Sequence, residues 1–259
     1  MKSRGRVLLA FFSLAGGTTV MFVALPLLNT LLATDPKLIA SALQDAEIVR
    51  SLGVTFGAAA LATLIACSGG LPLAYLLARR RFWGKSLVEA VINLPIVIPH
   101  TAAGIALLLV FSSRGILGRF LAPFGLFFTD HFEGIVVAML FVSLPYLVNM
   151  SREAITQVNE ELENMAMVEG ANRWQALLHV TFPLAWRGIM GGAVMMWARG
   201  ISEFGSVVIL AYHPKVIPVL IFERFQGFGL QAAQPVAVIL IVTVLLIFGL
   251  LRWVLIPEK

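Results

Sequence analysis

Apolar residues run along this chain in long stretches separated by short charged joints. A hydrocarbon core of about 30 Å takes about 20 helical residues to cross. Six runs reach or approach that length, at residues 7–32, 52–78, 87–111, 134–150, 188–212 and 232–254. Each predicts a transmembrane helix, and the fourth, the shortest, is expected to continue into the polar segment after it. The expected fold is an all-α polytopic membrane protein with six transmembrane helices, formed by residues 1–259 as a single membrane domain. The one long polar interruption covers residues 151–187. Inside it, Glu163, Ala166 and Gly170 are spaced i, i+3 and i+7, so a short helix puts them on one face. The two small residues leave that face open to a partner.

Two spans carry polar residues that need a reason to be there. The third contains Asn93-Leu94-Pro95-Ile96-Val97-Ile98-Pro99-His100-Thr101. Pro95 and Pro99 each remove an amide donor and free a carbonyl one turn earlier, so this helix is expected to bend or break. Broken backbone at membrane depth is buried in protein or lines a cavity, and His100 and Thr101 lie beside the break. In the fifth span Arg199 and Glu203 stand at i and i+4, about halfway along, where they can pair on one face. Ala198, Ser202 and Ser206 form a ridge of small residues beside them that permits close helix approach. A charge at the bilayer centre costs roughly 2.5–3.5 kcal/mol on insertion scales, so this face points away from lipid. Two readings stay open: an ion pair that braces the bundle, or a face on a transport path where Arg199 attracts an anion and Glu203 limits how tightly it binds. His100 is likewise either an interhelical hydrogen-bond partner or a path residue.

Composition narrows the class. With 59% hydrophobic and 13% charged residues, the chain cannot hide its apolar surface in a soluble core. The net charge of +5 does not indicate nucleic acid, because the basic residues sit at the ends of apolar runs and form no continuous stripe. Lys2, Arg4 and Arg6 precede the first span, and Arg79, Arg80, Arg81 and Lys85 separate the second from the third. Short loops rich in Lys and Arg stay cytoplasmic. With six spans, segment 151–187 and both termini are then cytoplasmic. The first apolar run exceeds a signal-peptide core and reads as an uncleaved span. Cys67, the single cysteine, allows no internal disulfide and packs as a small hydrophobe.

Other classes fit less well. No Gly-x-x-x-x-Gly-Lys-Ser/Thr run occurs, so ATP hydrolysis, if any, belongs to another polypeptide. His100, His131, His179 and His213 are dispersed, with no pair at helical ligand spacing, which argues against an intramembrane enzyme and against a metal site. A secondary transporter shares kinked helices and midplane charges, but usually shows internally repeated halves and has no use for a docking loop.

Nine residues after Gly170 comes Val180-Thr181-Phe182-Pro183. This spacing resembles the cytoplasmic coupling loop of ABC importer permeases, whose pattern is Glu-Ala-Ala, three residues, Gly, nine residues, Ile-x-Leu-Pro. Asn164-Met165-Ala166 stands in the place of Glu-Ala-Ala, with the acid displaced to Glu163. The segments Asn93 to Gly104, Trp197 to Gly205 and Ala211-Tyr212-His213-Pro214 resemble more specifically the permease subunits of molybdate/tungstate ABC importers, over residues 73–235. The resemblance implies a plasma (inner) membrane homodimer with a cytoplasmic coupling helix between spans four and five. Its implied partners are two cytoplasmic ATPase subunits, which carry the ATP and Mg, and an extracytoplasmic oxyanion-binding protein. This chain itself is implied to bind no cofactor. Glu163, Asn164, Ala166, Glu169, Gly170 and Ala171 are then the candidates for ATPase coupling, and His100, Thr101, Arg199, Ser202 and Glu203 for the translocation path. A sulfate importer permease is the nearest alternative.

Overall fold

The computed structural model describes the backbone of residues 2–255 and the side chains of residues 9–251. The side chains of Lys2, Arg4 and Arg6, on which part of the expected orientation rests, lie outside that range, as do residues 256–259. Among the described residues every regular element is a helix. The chain divides into two compact units, Met1–Val49 with Ile221–Lys259, and Arg50–Leu220.

In chain order the helices are α1 (Lys2–Leu32), α2 (Pro36–Leu43), α3 (Ala46–Arg79), α4 (Lys85–Val97), α5 (His100–Phe111), α6 (Ile116–Leu121), α7 (Phe132–Thr156), α8 (Glu160–Val168), α9 (Arg173–Ala176), α10 (Phe182–Ile201), α11 (Gly205–Leu210), α12 (Ile217–Phe228) and α13 (Leu230–Leu255). Among the described residues, four helices are individually long and apolar enough to cross a membrane: Leu9–Leu32 of α1, α3, α7, and Leu230–Leu251 of α13. Together α4 and α5 qualify as a fifth, bent by 114°. The expected fifth span, residues 188–212, is not one helix. It is divided into α10 and α11 by the turn at residues 202–204, and Arg187, Arg199 and several glycines lower the hydropathy of α10.

In the Met1–Val49 and Ile221–Lys259 unit, α13 packs on α1 and α2. Asp35 caps α2 by accepting from the Lys37 amide at 2.8 Å, and Pro36 fills the first helical position, where its missing N–H costs nothing. Gln234 Nε2 donates to Thr34 Oγ1 at 2.8 Å. Arg224 Nη2 lies 2.6 Å from Asp45 Oδ2 and 3.4 Å from Glu47 Oε2, tying the end of α12 to the start of α3. Along α1 the apolar side chains are exposed all round, Phe22 and Leu14 among them, which suits a helix bathed in lipid.

The Arg50–Leu220 unit is built around α7, whose buried residues Ile135, Ala138, Met139, Val142, Leu147 and Val148 form a continuous stripe. Helices α4, α5, α10 and α11 all pack on it. Between apolar helices in lipid there is little hydrophobic drive, so close backbone approach and dispersion must hold them. Gly192 of α10 meets that need: a Cβ there would stand 3.1 Å from Met150 Cβ. At one end of the bundle Ala74 and Leu77 of α3, Ile155 of α7 and Ile189 of α10 form a shared core.

Candidate functional site

Two polar clusters occupy this unit, near opposite ends of α10. The rise from Thr181 to Arg199 is about 27 Å at about 1.5 Å per residue, close to the thickness of a hydrocarbon core.

The first cluster forms where two helices are interrupted. α4 ends at Val97, and Pro99, which has no amide hydrogen, occupies the N-cap position so that α5 begins at His100. Pro95 remains inside α4, one turn before the corner. Across from this corner α10 stops at Ile201 and α11 starts at Gly205. Arg199 therefore lies in the last turn of a helix and Glu203 in the turn beyond it, which corrects the expectation of a continuous helix with the pair at its middle.

Glu203 is fully buried. Its Oε1 accepts from the backbone N–H and the hydroxyl of Ser206, both at 2.8 Å, and so satisfies a first-turn donor of α11. Its Oε2 lies 3.1 Å from Arg199 Nη2 and 2.8 Å from His100 Nδ1. The Arg199 distance gives charge attraction, yet neither approach has hydrogen-bond direction, and Oε2 is a buried acceptor without a directed donor. Arg199 Nη2 instead contacts the His100 ring, 2.9 Å from Nδ1 and 2.8 Å from Nε2. Ser202 Oγ accepts from Arg199 Nη1 at 3.2 Å and donates to the Arg199 carbonyl at 3.0 Å. Ser202 and Thr101 are exposed beside the pair. The structure thus joins His100 to Arg199 and Glu203, a union that sequence reasoning did not anticipate. Gly104 and Gly205 make it possible: a Cβ on Gly205 would stand 2.7 Å from His100 Cβ, and one on Gly104 2.8 Å from Ile209 Cβ. A guanidinium in an apolar frame, with the Ser202 hydroxyl at its side, can bind and release an anion.

The second cluster holds α8. Asn159 caps this helix by accepting from the Glu161 amide at 3.0 Å, and Glu160, Glu161 and Glu163 in the first turn complement its dipole. The helix stops in a Schellman turn: the Gly170 N–H donates to Met167 O and the Ala171 N–H to Ala166 O. Gly170 has φ +99°, a region that favours glycine. Asn172 and Gln175 then form a capping box that opens α9, with bonds of 2.8 and 2.9 Å. A π-helical turn, Leu177–Thr181, widens the backbone just before Pro183, whose ring would otherwise press on the carbonyl one turn back.

Glu163 does not share an open face with Ala166 and Gly170, as the helical spacing suggests, but is buried. Its Oε1 accepts from Arg79 Nε at 2.8 Å and from the Thr181 hydroxyl at 2.6 Å, and Tyr75 donates to Oε2 at 3.4 Å. Arg79 Nη2 also donates to the Val158 carbonyl at 2.8 Å. The acid therefore ties α8 to the end of α3 and to the π turn. Outward-facing positions include Asn164, Glu169 and Gly170, while Ala166 and Ala171 are half-buried. Met165, Val168 and Trp174, which sequence reasoning passed over, are exposed apolar side chains on the same segment. Large apolar residues inside an otherwise polar loop were the available signal.

Comparison with known proteins gives concordant results. Residues 70–256 match the family described as binding-protein-dependent transport system inner membrane component. The chain is 40% identical over 247 residues to the molybdate/tungstate transport system permease protein WtpB of Thermococcus kodakarensis, covering 95% of each chain. It is 33% identical over 257 residues to the sulfate transport system permease protein CysT of Escherichia coli, covering 95% of this chain and 93% of the other. In fold it resembles a chain from the crystal structure of a bacterial ABC transporter involved in the import of the acidic polysaccharide alginate, with a TM-score of 0.76, 19% identity and 99% of both chains covered. With the family match spanning most of its length, this chain belongs to the inner membrane components of binding-protein-dependent transport systems.

Proposed function

We propose that this chain is the membrane-spanning subunit of an ATP-driven ABC importer that moves a tetrahedral oxyanion, molybdate or tungstate, across the plasma membrane by alternating access. The observation that carries the oxyanion reading is the cationic Arg199 placed with His100, Ser202 and Thr101 where α4–α5 and α10–α11 are both interrupted. The relatives' substrate supports it. In this reading two copies pair so that these corners line one path, each copy contributes six spans, and both termini are cytoplasmic. α8 is the coupling helix. It presents Met165, Val168 and Trp174, together with Asn164, Glu169 and the Gly170 turn, to a cleft in one of two cytoplasmic ATPase subunits, which keep the ATP and Mg. Ala166 and Ala171 support that face from within, while Glu163 and Arg79 transmit its displacement to α3 and α10 as a rigid-body tilt. An extracytoplasmic binding protein delivers the ion.

The likeness to a sulfate permease over nearly the whole chain favours sulfate as the second reading. ATP hydrolysis by the reconstituted complex, measured with its binding protein and each of the three anions, separates the two. Stimulation by molybdate and tungstate well above sulfate is expected; stimulation by sulfate alone would replace the first reading with the second.

A further inference from the structure

We propose that Arg152 is a second oxyanion station on the transport path, on the side of Arg199 nearer α8, and that Glu89 is the acceptor the travelling ion displaces from it. The inference rests on the reading that the corner holding Arg199 lines the path.

A polar ladder joins α4 to α7 outside both clusters. Arg152 Nη1 donates to Glu89 Oε1 at 2.8 Å, and Asn149 Nδ2 donates to Asn93 Oδ1 at 2.6 Å. Asn93 Nδ2 in turn donates to the Glu89 carbonyl at 2.8 Å, which leaves its oxygen turned towards α7. The two rungs are four residues apart on α4 and three apart on α7, so each helix presents them on one face. The ladder starts beside the first cluster. Asn93 and Glu89 precede His100 by about two and three helical turns on the same broken span, with the Pro95 to Pro99 corner between.

The register of α7 against α10 gives the depth. A Cβ on Gly188 would meet Ala154 Cβ, and one on Gly192 would meet Met150 Cβ, so Arg152 stands level with residues 188–192. Along α10, at about 1.5 Å per residue, that is about 11–16 Å from Arg199 in the direction of Thr181 and α8. Both α7 and the bent α4–α5 pair are apolar enough to cross a membrane. Charged side chains in such helices face protein or a water-filled cavity, not lipid. Yet the side chains of Arg152 and Glu89 are 33% and 30% exposed, so the ladder has an open side.

Its chemistry suits a transient hold. A guanidinium offers a carboxylate and a tetrahedral oxyanion the same set of N–H donors. Glu89 engages Nη1 of Arg152, while Nη2 and Nε have no acceptor among the described residues. An ion coming from Arg199 meets those donors and the second amide hydrogen of Asn149. The neighbouring carboxylate cancels the charge of Arg152 at a distance, so the ion is held only in contact and is given up when Glu89 returns. Stations along a path must bind well enough to fill and weakly enough to empty.

The test compares variants of the permease assembled with its ATPase. Radiolabelled molybdate retained in equilibrium dialysis, without the binding protein, reads the affinity of the path. Glu89→Gln removes the competing charge but keeps an oxygen for Arg152, and should tighten molybdate binding by about twofold to fivefold, the scale of a half-exposed ion pair. A mere brace between α4 and α7 would gain no affinity for the anion when weakened. Glu89→Gln/Arg152→Gln keeps an amide pair between the helices but no cation. It should return binding to the wild-type level or below, and in proteoliposomes with ATP and binding protein it should take up molybdate more slowly than the wild type. Unchanged or weaker binding in Glu89→Gln overturns the station, whether or not the double variant assembles. Wild-type uptake in that double variant overturns it as well. A slow Arg199→Met/Glu203→Gln then leaves the path reading standing, whereas wild-type uptake there too ends both.

Discussion

Arg199 and Glu203 depend on each other because each is costly alone. Breaking a buried pair by removing one partner costs about 3–5 kcal/mol, since the other charge is left uncompensated. Arg199→Met should therefore lower the unfolding temperature of the purified protein more than Arg199→Met/Glu203→Gln does, because the glutamine still accepts from Ser206. Equal losses in the single and double variants would show that the two charges are not coupled. The pair was legible in the sequence from its spacing alone. His100 was not, because its contact with Arg199 joins residues far apart in the chain, and that distance leaves no period to read. Gly104 and Gly205, the small residues that let α5 and α11 touch, were the traces available. Even the helix break at Ser202 had a local sign, the run Ser202-Glu203-Phe204-Gly205, in which a serine and a glycine flank an acid able to cap α11.

At the level of elements, the conformation of Gly170 matters more than the space around it. Nothing lies within 4 Å of a Cβ built there, so a larger side chain would not collide. It would be strained, by about 1–2 kcal/mol for an L-residue in the left-handed region. Gly170→Leu should thus loosen the turn between α8 and α9 and lower the molybdate moved per ATP hydrolysed. Gly170→Asn, which tolerates that region, should lose much less, and equal coupling in both variants and the wild type would contradict this role. Glu163 makes the complementary case. Glu163→Ala leaves the Arg79 side chain, 6% exposed, with only the more distant Glu160 carboxylate, 3.7 Å away. Amides of α8 should then exchange with deuterium faster, while exchange in α7 stays slow; unchanged protection in α8 would mean that other contacts hold it. The existence of this helix could be read from its polar sequence and small residues, and its stop from Gly170. The inward turn of Glu163 could not, because helical spacing says which residues share a face but not where that face points.

For the whole molecule, hydropathy located segments that form single helices long and apolar enough to cross a membrane, as in α3, α7 and α13. It did not show that the 188–212 run is divided between α10 and α11, because an apolar average does not register a turn held by tertiary contacts. Labels attached at Glu161 and Arg173 should react only from the cytoplasm, and at Lys37 and Gln226 only from outside; the reverse result for Arg173 would contradict the proposed orientation. In the Met1–Val49 and Ile221–Lys259 unit, the hydrogen bond from Arg224 holds the Asp45 carboxyl below the usual carboxylate range. A depressed carboxyl stabilises the folded state above its unfolded value, and that contribution is lost as pH falls through the folded value. Partial exposure limits it to about 1 kcal/mol or less. Thermal stability should therefore be level from neutrality down to the usual carboxylate range and decline below it, with a shallower decline in Asp45→Asn; identical acid limbs would remove the tie. The most direct test of the whole account is accumulation of radiolabelled molybdate in proteoliposomes that contain this chain, its ATPase and its binding protein, without any imposed ion gradient. The account predicts accumulation against a concentration gradient that requires ATP hydrolysis; accumulation without ATP, driven instead by a proton or sodium gradient, would contradict it.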